Sequence, residues 1–235
     1  MATIRLIPSA YSLSNTSYLS ISNASNMYTN TDSTTYATVS HGRNRTTSYY
    51  IYVKGFNFDD IPADAIINSA TVKVRAKVTS ASSYAPTLYN DTTSLNQNLS
   101  GNIGTTTTTS TIDITSNWET YKGYGSNFGI GLQLNRSSRY TASSMNIYGA
   151  EILVDYTVPV YHTVSTSITG GVLRNPTTAS MTIRDGANYE ITFNGNPGYT
   201  LSSMAVNGVE VTPTIKSAPA PTLPRYTVST NYGTY

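Results

Sequence analysis

No cysteine occurs anywhere in this 235-residue chain, so neither a disulfide nor a thiolate-held metal can brace the fold, and burial must do that work. Charge is also scarce. Asp, Glu, Lys and Arg make up 11% of the residues, against roughly 25% in an ordinary soluble protein. The surface must therefore be built from hydroxyl and amide groups. A formal net charge of +2, with no long basic run, is too little for the electrostatic footprint of nucleic-acid binding. No apolar run approaches the roughly 18 residues of a membrane span, and the opening MATIRLIPSAYSLSN lacks the continuous apolar core of a signal peptide. These absences predict a chain that is soluble when made, binds neither membrane nor nucleic acid, and reaches any later extracellular life without a cleaved signal.

Catalytic groups are thin as well. Hydrolysis needs a positioned base or a pair of carboxylates. The two histidines are His41, in a turn sequence, and His162, at the start of a later segment, and no Ser, Asp and His grouping has a recognisable spacing. The glycine-rich GYGSNFGIG is followed by a strand pattern rather than the helix a phosphate-cradling loop requires, so it reads as tight turns. The sequence predicts no enzyme, no cofactor and no metal site. A glycan-degrading enzyme would need a carboxylate pair facing a cleft.

Tyrosine, with 20 copies, dominates the aromatics, and Tyr and Thr both favour pleated, half-buried positions. The clearest strand is in Ile61–Val78, IPADAIINSATVKVRAKV. There Ala70, Val72, Val74, Ala76 and Val78 alternate with Thr71, Lys73, Arg75 and Lys77, the period-2 pattern of a sheet with one buried face. Pro62 suits the loop entering it. Further strands are predicted at Ile4–Ile7, Tyr49–Val53, Phe128–Leu134 and Gly149–Tyr156, with short strands and turns over residues 11–40. His41-Gly42-Arg43-Asn44 reads as a turn, and the threonine run 105–109 as an edge strand or crossing loop. In SNWETYKGYG, Ser116 or Asn117 is placed to cap a short helical turn through Tyr121.

Thr157-Val158-Pro159-Val160 ends the pattern, because proline breaks a ladder there. The expected organisation is all-β: an N-terminal β-sandwich or jelly roll over residues 1–158, then a small antiparallel β module over 159–235. In the second part Tyr161–Ser165 and Tyr189–Phe193 read as strands, and Gly170-Gly171, Asp185-Gly186 and Asn196-Pro197-Gly198-Tyr199 as turns. Asn207-Gly208 between Val206 and Val209 is a strong hairpin signal. Residues 217–224, rich in Pro and Ala, fit an extended loop or a linker, and residues 225–235 begin another strand.

Three surface features are candidate sites. Lys73, Arg75 and Lys77 form a basic stripe on the exposed face of the central strand, either solvated or a contact with a neighbouring subunit. No stacking aromatics interleave with them, which argues against single-stranded nucleic acid. Trp118, Tyr121 and Tyr124 offer an apolar platform for a sugar ring, although a lone Trp in a sandwich also serves as core or lid. Asp59, Asp60 and Asp64 are the densest acidic cluster, but their spacing matches no standard calcium loop and reads as acidic turns.

Two resemblances follow from quoted stretches. IRLIPSAYSLSN, SYYIYVKGFNF before DIPADAIINSATVKVRAKV, GYGSNFGIGLQLNR and NIYGAEILVDYTVP make the first part resemble jelly-roll domains of virion proteins from phages and prophages of Gram-positive bacteria, over most of Ala2–Pro159. YHTVSTSITGG and IRDGANYEITFNGNPGYTLSSMAVNGVEV make the second part similar to repeat modules of bacterial surface proteins related to the internalin B-repeat group. This likeness lacks the final strand such a module should have, so the natural chain is expected to continue beyond Tyr235. The first resemblance implies a virion structural protein assembled in the host cytoplasm: a capsid decoration or head fibre, or a tail fibre, contacting other virion proteins. By analogy with displayed virion proteins it implies a homo-oligomer, with a trimer favoured. The alternative is a carbohydrate-binding adhesin that reads a host surface glycan through the aromatic group.

Overall fold

The computed structural model describes residues 1–42, 48–79, 84–135, 143–197, 203–206, 209–210, 214–216 and 225–231. Strand accounts for 56% and helix for 10%, so the fold is all-β. The chain divides into two compact units, Met1–Val158 and Pro159–Tyr235.

The first unit contains β1 (Ala2–Leu6), β2 (Ala10–Leu13), β3 (Leu19–Ser22), β4 (Ala37–His41), β5 (Tyr49–Lys54), β6 (Ile66–Val78), β7 (Thr87–Asn90), β8 (Thr93–Asn98) and β9 (Thr108–Asp113). A short helix α1 (Trp118–Gly123), then β10 (Phe128–Leu134) and β11 (Ser143–Thr157), complete it. One sheet runs β3-β4-β11-β6-β9, with β1 also paired to β11, and the other runs β2-β5-β10-β7-β8. Four antiparallel pairings nest inside one another: β7 with β8, β6 with β9, β5 with β10, and β4 with β11. This is one long hairpin rolled up so that its pairs fall alternately into two sheets, the wrap of a jelly roll.

Between the sheets lies one continuous core. Val72, Val74 and Ala76 of β6 and Ile152 and Val154 of β11 share it with Ile51 and Val53 of β5, Leu88 of β7, and Ile130 and Leu132 of β10. The alternation along β6 is as its sequence predicts, with Ala70 through Val78 buried at every second position. The threonine run enters β9, an edge strand. Two details differ from the sequence reading. The last strand begins at Ser143 rather than Gly149, because a register shift between Ile147 and Gly149 interrupts the alternation that marks a strand in sequence. Neither Ser116 nor Asn117 caps α1 by its side chain; a 3₁₀ turn, Thr115–Asn117, leads into the helix, and Asp113 accepts from the Thr115 backbone N–H at 2.8 Å.

The second unit contains β12 (Tyr161–Ser165), β13 (Gly171–Asn175), β14 (Ser180–Arg184), β15 (Asn188–Gly195), β16 (Ala205–Val206), β17 (Val209–Glu210), β18 (Thr214–Lys216) and β19 (Arg225–Asn231). β12 pairs with β14, and a four-stranded sheet runs β13-β15-β19-β18. β16 and β17 pair antiparallel as the hairpin signal predicts, although Asn207 and Gly208 themselves lie outside the described residues. The same holds for Arg43, Asn44, Gly198, Tyr199, residues 217–224 and residues 232–235. Gly170 and Gly186 take φ of 72° and 75° at the expected turns. The described core is small: Val164, Ile183 and Ile191, with Leu173, Met181, Ala187, Tyr189 and Met204 against them.

Candidate functional site

The basic stripe is not a bare face. Residues 23–36 cross the outer side of β6 and β11 as a strap, entered through a 3₁₀ turn, Ala24–Met27, whose Met27 is fully buried. The Ala150 backbone N–H donates to the Thr29 carbonyl at 3.1 Å. A Cβ on Gly149 would stand 2.2 Å from the Asn30 carbonyl oxygen, so only glycine lets the strap lie this close. Arg75 donates to the carbonyls of Thr31 and Ser33 at 3.3 and 3.2 Å, and its guanidinium sits 5.1 Å over the Tyr148 ring. Burial pushes the Tyr148 phenol up, but hydrogen bonds with Thr107 and Lys77 and the charges of Lys77 and Arg75 outweigh it and hold it below the usual tyrosine range. Lys73, Arg75 and Lys77 are half-buried. The expectation of an exposed stripe is thus corrected, because the chain's own loop engages Arg75 and sets Asp32 near Lys73, while Lys77 is held by Tyr148.

A carboxylate sits under the strap. Glu151, paired across the sheet with Lys73, is 2% exposed. It accepts from the Thr31 hydroxyl at 2.8 Å and from Arg5 at 3.2 Å. Arg5 also reaches Asp32 at 2.8 Å, and this contact holds the Asp32 carboxyl below the ordinary carboxylate range, with smaller help from Lys73 and Arg75. Sequence reasoning missed this cluster. Glu151 alternates with buried residues as any outward strand residue does, and only the strap distinguishes it.

The outer face of the other sheet carries a tyrosine group. Tyr52 and Tyr89 meet edge to face at 4.9 Å, and Tyr50 stacks on Tyr52 at 6.0 Å. The Tyr89 ring lies across Gly131, where a Cβ would come within 2.2 Å of it. Next to it, Lys54 and Asp91 pair at 2.6 Å. Burial, with Tyr50 and Tyr52 beside it, pushes the Tyr89 phenol up to about 12. The signal was present in FGIGLQL, whose outward positions begin with two glycines opposite a tyrosine-rich strand.

The aromatic platform is also corrected. Trp118 is 3% exposed and meets Phe58 edge to face at 5.4 Å. Tyr121 is 6% exposed and stacks on Phe128 at 5.1 Å. Tyr124 is half-buried, 6.3 Å from Tyr121. Their faces are spent on the core, because α1 closes one end of the sandwich and needs apolar anchors there. What they brace is concave. A depression of about 530 Å³ is lined by Phe56, Asn57, Phe58, Asp59, Glu119, Lys122, Gly123, Gly125 and Ser126. A second, of about 260 Å³, lies between Ala65, Ile67 and Thr115–Thr120.

The remaining candidates are structural in their contacts. Asp59 and Asp60 belong to a 3₁₀ turn in which the Asn57 amide donates to Asp60 at 2.7 Å and accepts from the Asp59 N–H at 3.3 Å. Asp64 is exposed. His41 is buried with Nδ1 2.8 Å from the Gly42 carbonyl, and His162 Nε2 lies 3.0 Å from Asp185. Among the described residues, no three or more His, Asp and Glu side chains gather as a metal site would require, and no helix is long and apolar enough to cross a membrane. In comparison with known proteins, the chain matches no family model and no curated sequence.

Proposed function

We propose that this chain is a structural protein of a phage virion, displayed on the particle and acting by protein–protein assembly, with the first unit docked and the second projecting. The observation that carries this reading is the nested β4–β11 wrap. Jelly rolls of this kind serve as shell and lectin modules, and fold alone is shared by unrelated functions. The wrap coincides here with the stretches that resemble virion domains and with a hydroxyl- and amide-rich surface. Trimeric self-association and attachment to the capsid, rather than to the tail, are part of the proposal. The strap-covered face, with the half-buried Lys73 and Lys77, is the surface it assigns to a neighbouring subunit.

The test is the position of the chain in intact particles. Immunogold labelling or cryo-electron microscopy of purified virions should find it at regular sites on the head; its absence from virions would overturn the proposal. Light scattering on the purified chain should give three times the 25.3 kDa protomer mass.

A further inference from the structure

We infer that the two depressions flanking α1 form one binding site for a neutral saccharide. The site lies at the end of a rigid sandwich, where loops carry binding groups on a fixed scaffold. The larger depression falls in the size range of small-molecule sites, which run from about 300 to 1,000 Å³. Glu119 lines both hollows, so α1 is a ridge that an extended ligand would straddle.

The lining chemistry selects the ligand class. Asp59 and Glu119 accept hydrogen bonds, and Lys122 donates them. Among the described residues none of these three side chains is engaged in an ion pair or hydrogen bond with another side chain. Charges of both signs around one hollow disfavour a strongly anionic or cationic ligand and suit vicinal hydroxyls, which both donate and accept. The backbone that carries these groups is held in place before binding. Asn57 fixes the Asp59 turn, and Trp118 and Tyr121 lock α1 onto Phe58 and Phe128.

Gly123 supplies a separate observation. It does not take a positive φ, and a Cβ there would meet nothing within 4 Å. Neither backbone nor packing demands glycine at this position; its missing side chain leaves the larger depression open. By contrast, the tyrosine group on the sheet face offers little ring surface, since Tyr52 and Tyr89 are 6% and 7% exposed.

The site does not depend on the virion proposal, because the purified chain can be tested without particles. The probe is a panel of neutral oligosaccharides of glucose, galactose, N-acetylglucosamine and N-acetylgalactosamine, followed by calorimetric titration of those retained. Binding in the micromolar to millimolar range is expected. Glu119→Gln and Asp59→Asn should each weaken it about tenfold, the loss of one charge-assisted hydrogen bond. Gly123→Tyr should fill the hollow and abolish binding at an unchanged melting temperature, while Tyr50→Ala leaves binding intact. Should Gly123→Tyr lower the melting temperature, the two carboxylate variants, both exposed substitutions, decide alone. No binding to any panel member at millimolar concentration, or binding that none of Glu119→Gln, Asp59→Asn and Gly123→Tyr alters, would overturn the inference.

Discussion

The two sheets of the first unit each hide their outer face, and they do it by different means. Over β6 and β11 a separate stretch of chain, residues 23–36, lies down on the sheet and is fastened by backbone carbonyls, two arginines and a buried carboxylate. Over β5, β10 and β7 the sheet covers itself, with the Tyr89 ring folded across Gly131 of the neighbouring strand and packed on Tyr52. The first solution is polar and long-range, so each fastening depends on a partner distant in sequence. The second is apolar and local to the sheet. The covers should therefore fail under different insults.

The largest expected effect comes from Gly149→Ala, whose methyl would press on the carbonyls of both Asn30 and Thr29. Backbone cannot swing aside as a side chain can, so the strap must lift, at a cost of about 3 kcal/mol in urea unfolding. Glu151→Ala follows at about 2 kcal/mol, because the Thr31 hydroxyl loses its buried acceptor, while Arg5, half-exposed, can turn to Asp32 and water. On the other face, Gly131→Ala meets first the Tyr89 ring, a side chain that can rotate away. A loss of about 1 kcal/mol is expected, and a double-mutant cycle with Tyr89→Ala should show the two changes to be strongly non-additive. A Gly131→Ala loss as large as that of Gly149→Ala would remove the distinction between the two covers.

Smaller effects should separate the faces by pH. Asp32 and Asp155 lie on the strapped face with folded pKa values held down, Asp32 by Arg5 and Asp155 by the Thr3 and Ser69 hydroxyls. Their contribution is present above the unfolded carboxylate value of about 3.9 and is lost as pH falls through the lower folded values. Tyr52 and Tyr89 have raised values, chiefly from burial. Their contribution is full below the unfolded value of about 10 and is lost as pH rises through the folded one, about 12 for Tyr89. Unfolding midpoints measured from pH 3 to 11 should show Asp155→Asn flattening the acid limb alone and Tyr89→Phe the alkaline limb alone. Either variant flattening both limbs would mean that the covers unfold as one. Asp32→Ala, at a side chain 72% exposed, should lower the midpoint at neutral pH only slightly, because solvent screens its pair with Arg5.

The covers are also where the sequence was least legible. Alternation in β6 and the proline at 159 sufficed to place the central strand and to expect two parts, since both depend on residues near one another in sequence. The meaning of Lys73, Arg75 and Glu151 depends on a loop some 40 to 130 residues earlier, whose composition resembles any polar linker. For Trp118 the sequence leaves open a sugar platform or a place in the core, because a short turn flanked by glycines does not say which way its rings face; the burial of Trp118 and Tyr121 follows from α1 closing the sandwich end. The carboxylates of the two depressions, Asp59 and Glu119, stand 60 positions apart and meet only through the wrap.

In the first unit the last strand is also a central one: β11 lies between β6 and the strands β1 and β4. In the second, β19 likewise lies between β15 and β18. During synthesis the first unit therefore waits for β11, and until it arrives β6 presents an unpaired edge on that side. A ribosome that stalls before Ser143 would release a first unit unable to close its sheet. A first unit cut short before β11 thus exposes open edges of the kind that chaperones and proteases recognise.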